Sequence, residues 1–120
     1  MNENTFEVID TSIVSKLEQD VGAEMVPTLL AMYVQELEEY LHGLTVSGSS
    51  DLPSVAALAH KAKNSAALFG APRIASYSIR LEEEANQEGE NIDITLKDTV
   101  STIEVTLTEM RELYANLSVG

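Results

Sequence analysis

Cysteine is absent from this chain of 120 residues, so the sequence excludes disulfides, thiolate metal sites and a thiol nucleophile. No apolar run approaches the roughly 20 residues that cross a bilayer, and no basic stretch followed by an apolar one opens the sequence as in a secretory signal. We therefore expect a soluble, cytoplasmic protein that does not enter a membrane.

Basic residues are scarce, because seven Lys and Arg stand against twenty Asp and Glu, which gives a formal net charge of -13. Such a charge repels nucleic acid and anionic lipid, so the expected partner is another protein. The length fits a single domain over residues 1–120 and is too small for a catalytic domain with a separate regulatory one. Residues 1–9 and 118–120 are expected to fray.

Acidic residues are missing from one long stretch of the chain. None lies between Asp51 and Glu82, yet this stretch holds four of the seven basic residues, namely Lys61, Lys63, Arg73 and Arg80. A cationic segment on an anionic protein can hold a phosphate or an acidic partner surface. Compensation of helix dipoles, or chance clustering, explains the same pattern equally well on composition alone.

Apolar residues recur at intervals of three and four along most of the chain, which is the spacing of amphipathic helices, and no β alternation is visible. The expected fold is all-α, an antiparallel up-and-down four-helix bundle with an additional short N-terminal helix. The expected helices are a short one near residues 10–20, one from Val26 that ends at Gly43 and the following VSGSSD, and three more near residues 51–69, 72–86 and 92–117.

A single histidine, His60, lies in the third of these helices. At about 100° per residue it is turned roughly 200° from Leu58, so it should face outward from the apolar stripe. A neutral imidazole has one free ring nitrogen that can attack phosphorus, and Lys63, one turn further on, would hold a phosphoryl oxygen. A stray surface histidine is the simpler alternative. The predicted stripe consists of Val55, Leu58, Ala62, Ser65 and Phe69.

Other chemistries find little support in the sequence. The stretch from Glu39 to His42 has the Glu-x-x-His spacing of a di-iron bundle, but the second such motif is missing. His42 near a helix C-terminus is more simply a dipole partner. A nucleophile with a base, an orienting group and an oxyanion hole is not visible either. We therefore expect no metal and no cofactor of the protein's own.

The stretch HKAKNSAALFGAPRI resembles the signature of histidine-containing phosphotransfer (HPt) domains. GAEMVPTLLAMYVQELEEYL is similar to the helix that precedes the histidine helix in single-domain members. Asn64 departs from the pattern, since members carry glycine or serine there; it would either crowd a docking protein or donate a hydrogen bond to a phosphoryl group. Glu82 falls where members often carry a polar residue that orients the imidazole. The signature positions are His60, Lys63, Ser65 and Gly70, the last a left-handed cap that ends the helix.

The resemblance implies a phosphorelay. His60 would accept a phosphoryl group from a receiver-domain aspartate of a hybrid sensor kinase and pass it to the receiver of a response regulator, in two-component signalling such as quorum sensing. The chain would be a monomeric carrier and not an enzyme, with no kinase or nucleotide-binding apparatus, and magnesium would lie on the receiver. The positive charges that attract the receiver would be those of Lys61, Arg73 and Arg80. The small side chains that keep the docking face flat would be Ala56, Ala59 and Ala67.

A second function stays open. An acidic helical adaptor or inhibitor that binds a protein without chemistry would need the acidic faces but not His60.

Overall fold

The computed structural model describes the backbone of residues 3–119 and the side chains of residues 3–117. Throughout this part of the chain every regular element is helical, which confirms the all-α prediction. Two short 3-10 turns, Glu3–Thr5 and Gly48–Ser50, accompany the α-helices. These are α1 (Thr11–Val21), α2 (Val26–Ser47), α3 (Leu52–Phe69), α4 (Pro72–Gln87) and α5 (Ile92–Val119).

Polar caps and a glycine set the ends of α1 and α3. The Asp10 carboxylate accepts a hydrogen bond from the backbone N–H of Ser12 at 3.0 Å, and the Asp51 carboxylate accepts one from the backbone N–H of Ser54 at 3.3 Å. Each bond satisfies an N–H group that has no partner within the helix. At the other end of α3, Gly70 takes the left-handed conformation with φ 79° and ψ 40°. The predicted boundaries of α3 are therefore confirmed.

The predicted end of α2 in the VSGSSD run is confirmed, but Gly43 itself does not end the helix, and that part of the prediction was wrong. The helix continues through it to Ser47 and ends at Gly48, which has a φ of 53°. A Cβ atom added at Gly43 would lie only 2.8 Å from Cδ1 of Leu58 on α3. The missing side chain thus allows close packing of two helices, a use of glycine that the sequence pattern does not distinguish from a helix end.

The four long helices contact one another in cyclic order: α2 packs against α3, α3 against α4, α4 against α5, and α5 against α2. Their buried faces meet in one apolar core, which Leu17 of α1 joins. Inside it the Tyr40 hydroxyl and the Ser78 hydroxyl are hydrogen-bonded at 2.9 Å. The predicted apolar stripe of α2 is buried throughout, at Val26, Leu30, Tyr33, Leu37, Tyr40 and Leu44.

The buried face of α3 is rotated from the predicted stripe. Ala59 and Ala66 are fully buried, whereas Leu58 and Ser65 are only partly so. Since alanine is small, it lies where helix backbones approach closely, and the larger Leu58 fits at the edge of the interface. The outward position of His60 is unaffected and agrees with the prediction.

Residues 3–9 are held against α4, contrary to the prediction that residues 1–9 fray. The Arg73 guanidinium donates hydrogen bonds to the carbonyl oxygens of Phe6 at 2.8 Å and Asn4 at 3.3 Å. The Tyr77 hydroxyl donates to the Asn4 side chain at 2.9 Å. At the other terminus the backbone is helical through Val119. Residues 1, 2 and 120 lie outside the described residues.

None of the helices within residues 3–119 is both long and apolar enough to cross a membrane.

Candidate functional site

His60 stands on the outer surface of α3, with 61% of its side chain exposed. Its Nδ1 atom lies 2.8 Å from Oε2 of Glu82 on α4. An ionised carboxylate can only accept hydrogen bonds. In the neutral imidazole, Nδ1 therefore carries the hydrogen and donates a hydrogen bond to Glu82. The other ring nitrogen, Nε2, is then the one that keeps its lone pair.

Lys63 completes a three-residue cluster with His60 and Glu82. Its Nζ atom lies 2.5 Å from Oε1 of Glu82, so the two carboxylate oxygens bind one partner each. The hydrogen bond from Lys63 is the main cause that lowers the pKa of the Glu82 carboxyl below its ordinary value, and the bond from His60 adds to it. Glu82 therefore stays ionised at neutral pH, which keeps the imidazole orientation and tautomer fixed.

Helix geometry explains why these three groups meet. Lys63 is one turn beyond His60 on α3, and Gly70 reverses the chain so that α4 runs beside α3. Glu82 is largely buried, with 18% of its side chain exposed, while Lys63 is 28% exposed. Because the Glu82 carboxylate is largely buried and paired with a cation, its position is fixed, and it holds the exposed imidazole in one orientation.

The remaining residues predicted around the imidazole divide into two groups. Asn64 is exposed on the same side of α3, about 40° around the helix from His60. Ser65 lies about 140° around the helix and lines a cavity against Tyr33 of α2, so the structure does not bring it to the imidazole.

The predicted docking residues are also divided. Lys61 and Ala67 are exposed and Ala56 is half-buried, all on α3. Ala59 is fully buried in the core, so its prediction as a surface residue was wrong. The predicted stripe includes Leu58 and Ser65, whereas the structure buries the next residues, Ala59 and Ala66.

Arg73 and Arg80 are not on the His60 side of α4, and their prediction as docking residues beside it was wrong. Arg73 binds the carbonyl oxygens of residues 4 and 6. Arg80 binds Glu3 and Glu84, each at 3.0 Å. The two arginines are close to half a turn around α4 from Glu82, so they face the N-terminal segment instead of α3.

The sequence analysis missed the pairing of Lys63 with Glu82 and the exposure of Leu68, which lies more than two turns beyond His60 on α3. Leu68 is 59% exposed and lies one turn beyond Asn64 on the same side of α3. Its signal in the sequence was a large apolar residue outside the predicted stripe. Glu82 is the first carboxylate after thirty residues without one. Its position directly after the cationic stretch was the sequence feature that could have indicated an ion pair with Lys63.

Glu39 and His42 do not form a metal site. Glu39 lines the groove between α2 and α3, whereas His42 lines the groove between α2 and α5. No group of three or more His, Asp or Glu side chains within residues 3–119 could hold a metal ion. The expected lack of a cofactor stays a prediction.

Comparison with known protein families decides the classification of this chain. The model that describes the Hpt domain matches residues 28–118. The chain belongs to the Hpt domain family. The matched segment contains the whole cluster of His60, Lys63 and Glu82, so this Hpt protein carries its candidate site inside the family domain.

Relatives and one solved structure resemble this Hpt protein along most of its length. The phosphorelay protein LuxU of Vibrio vulnificus strain YJ016 is 33% identical over 99 residues, which cover 82% of this chain and 84% of the relative. The phosphorelay protein LuxU of Vibrio cholerae is 34% identical and covers 76% of this chain and 80% of the relative. The crystal structure of histidine-containing phosphotransfer protein B from Pseudomonas aeruginosa PAO1 superposes with a TM-score of 0.82 at 21% identity, over 91% of this chain and 96% of that one, which shows the shared fold.

Proposed function

We propose that His60 is the phosphorylated residue of this Hpt protein. As a member of its family the chain is a phosphorelay intermediate in two-component signalling, and it interacts with receiver domains. In the proposed reaction, Nε2 of His60 attacks the phosphorus of a receiver's aspartyl phosphate. The N–P bond forms as the P–O bond to the aspartate breaks, and the aspartate leaves as a carboxylate. The reverse step, on a second receiver, delivers the group onward.

The observation that carries the proposal is the contact between Nδ1 of His60 and the Glu82 carboxylate. This contact assigns the proton to Nδ1 and leaves Nε2 exposed with its lone pair available for attack. As the N–P bond forms, the ring becomes positively charged, and the adjacent carboxylate stabilises that charge. Glu82 is thus a positioning residue that also stabilises the phosphorylated ring.

Lys63 supplies positive charge beside the reacting nitrogen. In the unphosphorylated protein its ammonium binds Glu82. Lysine side chains are long and flexible, and its ammonium remains partly exposed, so the same group can donate to a phosphoryl oxygen on Nε2. Charge on the phosphoryl oxygens increases the attraction, so we assign Lys63 to stabilising the transferring group.

The partners in this proposal are the receiver domains of a hybrid sensor kinase and of a response regulator. The receiver supplies magnesium and the acidic pocket, and the exposed Lys61 steers that acidic rim toward His60. Ala56 and Ala67 have small side chains, which keep the docking face flat. Asn64 contacts either the receiver or the phosphoryl group. The proposed carrier has no kinase activity of its own and acts as a cytoplasmic monomer.

The arrangement we propose for the helices is the antiparallel up-and-down four-helix bundle, formed by one domain that spans residues 1–120. The cyclic contacts of the four long helices support it, as do the short connections between them. In this arrangement α3 and α4 are adjacent, which the contact of His60 with Glu82 requires.

A labelling experiment tests the proposal. Receivers phosphorylated with radioactive phosphate are incubated with the chain, and the label is expected on His60 with the acid lability and base stability of an N–P bond. His60→Ala should abolish labelling without unfolding the protein, since His60 is exposed and Glu82 keeps its bond to Lys63; the expected loss of stability is about 1 kcal/mol, that of one hydrogen bond. His42→Ala is the matched control, because His42 is also exposed and lies on another face.

Full labelling of His60→Ala would overturn the assignment of the phosphorylated residue. If His60→Ala instead left an inhibitory effect on a partner intact, the adaptor function would be favoured.

A further inference from the structure

The Glu82 carboxylate divides its charge between two donors. Its Oε2 atom lies 2.8 Å from Nδ1 of His60, and its Oε1 atom accepts a hydrogen bond from Nζ of Lys63. The bond from Lys63 is the largest cause of the lowered pKa of the Glu82 carboxyl, and the bond from His60 is a smaller one. In the unphosphorylated protein the carboxylate is therefore neutralised mainly by Lys63, and the imidazole needs no charge of its own.

Glu82 is the carboxylate that lies beside the ring. The histidine helix α3 carries no acidic residue from Leu52 to Phe69. Glu83, the next residue of α4, is exposed and turned about 100° around the helix from Glu82. The charged side chains that α2 and α1 place against α3 line two other grooves: Glu36 and Glu39 share one with Lys61, and Lys16 and Asp20 share the other with Ala67 and Leu68. Glu82 and Lys63 therefore have the main influence on the charge of the ring.

A phosphoryl group on Nε2 changes the charge of that ring. The N–P bond uses the lone pair of Nε2 while Nδ1 keeps its hydrogen, so the loaded ring is a cation until it loses that hydrogen. In onward transfer a carboxylate oxygen of the receiver attacks phosphorus, the N–P bond breaks, and its electron pair returns to Nε2. A ring that carries the Nδ1 hydrogen leaves as neutral imidazole, whereas a ring without it leaves as an anion, which is a far poorer leaving group.

The phosphoryl group also gives Lys63 a second anion to bind. Its ammonium is 28% exposed, lies one turn from His60 and stands on a flexible stem, so it can reach oxygens on Nε2. Hydrogen bonds from an ammonium to phosphoryl oxygens are strong because both groups are charged. When Lys63 moves to them, Glu82 loses its main cation, and the charged groups form two new pairs: Lys63 with the phosphoryl group, and Glu82 with the ring.

We propose that phosphorylation switches Glu82 from sharing its charge with Lys63 to serving as the counter-ion of the loaded ring, which therefore keeps its Nδ1 hydrogen well above neutral pH. This inference rests on the proposed phosphorylation of His60. An opposite charge within about 4–6 Å favours the charged form of a group. The loaded ring thus stays in the form that transfers, and onward transfer does not slow as pH rises through about 6.5, where an ordinary imidazole loses its proton.

Nitrogen chemical shifts of the ring report directly whether Nδ1 carries a hydrogen. The full chain is labelled in its histidine nitrogens, with His42→Ala introduced throughout so that His60 is the only histidine. Phosphoramidate, a small phosphodonor, loads the ring without a receiver, and NMR spectra are recorded across the pH range. We expect Nδ1 of the loaded chain to stay protonated to at least about pH 8, well above the ordinary range of imidazole.

Glu82→Gln should lower the midpoint of this titration by about one pH unit or more. The glutamine oxygen still accepts a hydrogen bond from Nδ1, so the variant removes the charge and keeps the orientation. Glu83→Gln is the matched control, because it removes the same charge from the next, exposed residue of α4 and should leave the midpoint unchanged. Equal midpoints in the native chain and Glu82→Gln, or equal shifts in the two variants, would overturn the inference while the labelling of His60 stands. A chain that does not load at His60 would overturn the proposed function as well.

Lys63→Met tests the exchange of partners. In the unphosphorylated chain this variant leaves the whole carboxylate charge to the imidazole, so the ring should keep its second proton to higher pH than in the native chain. In the loaded chain the shift should be smaller, because Lys63 has already left Glu82. Shifts of equal size in the two states would mean that Lys63 stays on Glu82, which would contradict the switch.

Discussion

Two faces of α4 carry charged residues, and each face binds a different part of the molecule. On one face Glu82 binds His60 and Lys63 of α3. On the opposite face Arg73 and Arg80 bind the segment that precedes α1. Arg80 and Glu82 are two residues apart in sequence but about 200° apart around the helix. Closeness in sequence therefore does not make a common site, because the helical period decides which groups meet.

The largest expected effect comes from Gly70, which begins the turn into α4 and so sets both faces. Gly70→Ala should destabilise the protein by about 2–4 kcal/mol, measured by urea unfolding. A left-handed residue with a Cβ costs about 1 kcal/mol or more, and overpacking adds about 1–3 kcal/mol. The added Cβ would lie 2.9 Å from the backbone oxygen of Asp10 and 3.3 Å from Cβ of Ile13.

Gly89→Ala is the control for that measurement, because a Cβ there meets nothing closer than 3.7 Å. Gly70→Asn, which tolerates left-handed backbone, should still be destabilised, since its Cβ meets the same oxygen. Full recovery with asparagine would show that only the backbone conformation matters at this turn.

The next largest effect is on the rate of phosphotransfer, which should depend on the Glu82 face of α4 but not on the arginine face. Lys63→Ala should slow phosphotransfer about 10- to 100-fold at saturating receiver, which corresponds to a lost hydrogen bond to a charged group. Arg80→Ala should leave the rate and its salt dependence unchanged, because Arg80 binds Glu3 and Glu84 on the other face. Quenched-flow transfer from a phosphorylated receiver measures both. An equal loss in the two variants would contradict the division of α4 into two faces.

A smaller effect is expected on the arginine face alone. Arg73→Ala removes two hydrogen bonds to backbone oxygens and should cost about 1–2 kcal/mol of stability. Amide exchange of residues 3–9 should become faster, while phosphotransfer stays unchanged. Arg111→Ala, which removes an exposed pair with Glu38, serves as the control and should change little. Slower transfer in Arg73→Ala would link the two faces.

The smallest effect concerns the pH dependence of the Glu82 face. The folded pKa of Glu82 lies below its unfolded value, chiefly because Lys63 donates to it. Its contribution to stability is therefore fully present above the unfolded pKa and is lost as pH falls through the folded one. The stability difference between the native chain and Glu82→Gln should shrink on acidification below about pH 4.5. A difference that stayed constant to pH 2 would contradict the role of the ionised carboxylate.

The sequence predicted helices and the exposed histidine well because both depend on local spacing. The stripe of α2, made of large residues at regular intervals, is buried as predicted. The stripe of α3 was predicted less well because alanine fits either a core or a surface, so Ala59 could not be assigned by hydrophobicity.

Tertiary contacts explain the other differences. A glycine such as Gly43 can either end its own helix or allow a second helix to pack closely against it. Here the second role depends on Leu58, a residue of another helix. The partners of Arg73 are backbone oxygens of a segment far away in sequence, and no spacing rule identifies them. Glu82 was correctly singled out for its contact with His60, but its bond to Lys63 required knowledge of how α3 and α4 are aligned.

The N-terminal segment is attached through main-chain atoms as well as through the side chains of Glu3 and Asn4. Arg73 contacts carbonyl oxygens of Asn4 and Phe6, its own N–H donates to the Glu7 oxygen, and the Asp10 N–H donates to the Gly70 oxygen. Since every residue type offers the same carbonyl group, the main-chain part of this attachment does not depend on which side chains the segment carries. Single substitutions at Asn4, Phe6 and Glu7 should therefore leave these main-chain bonds in place.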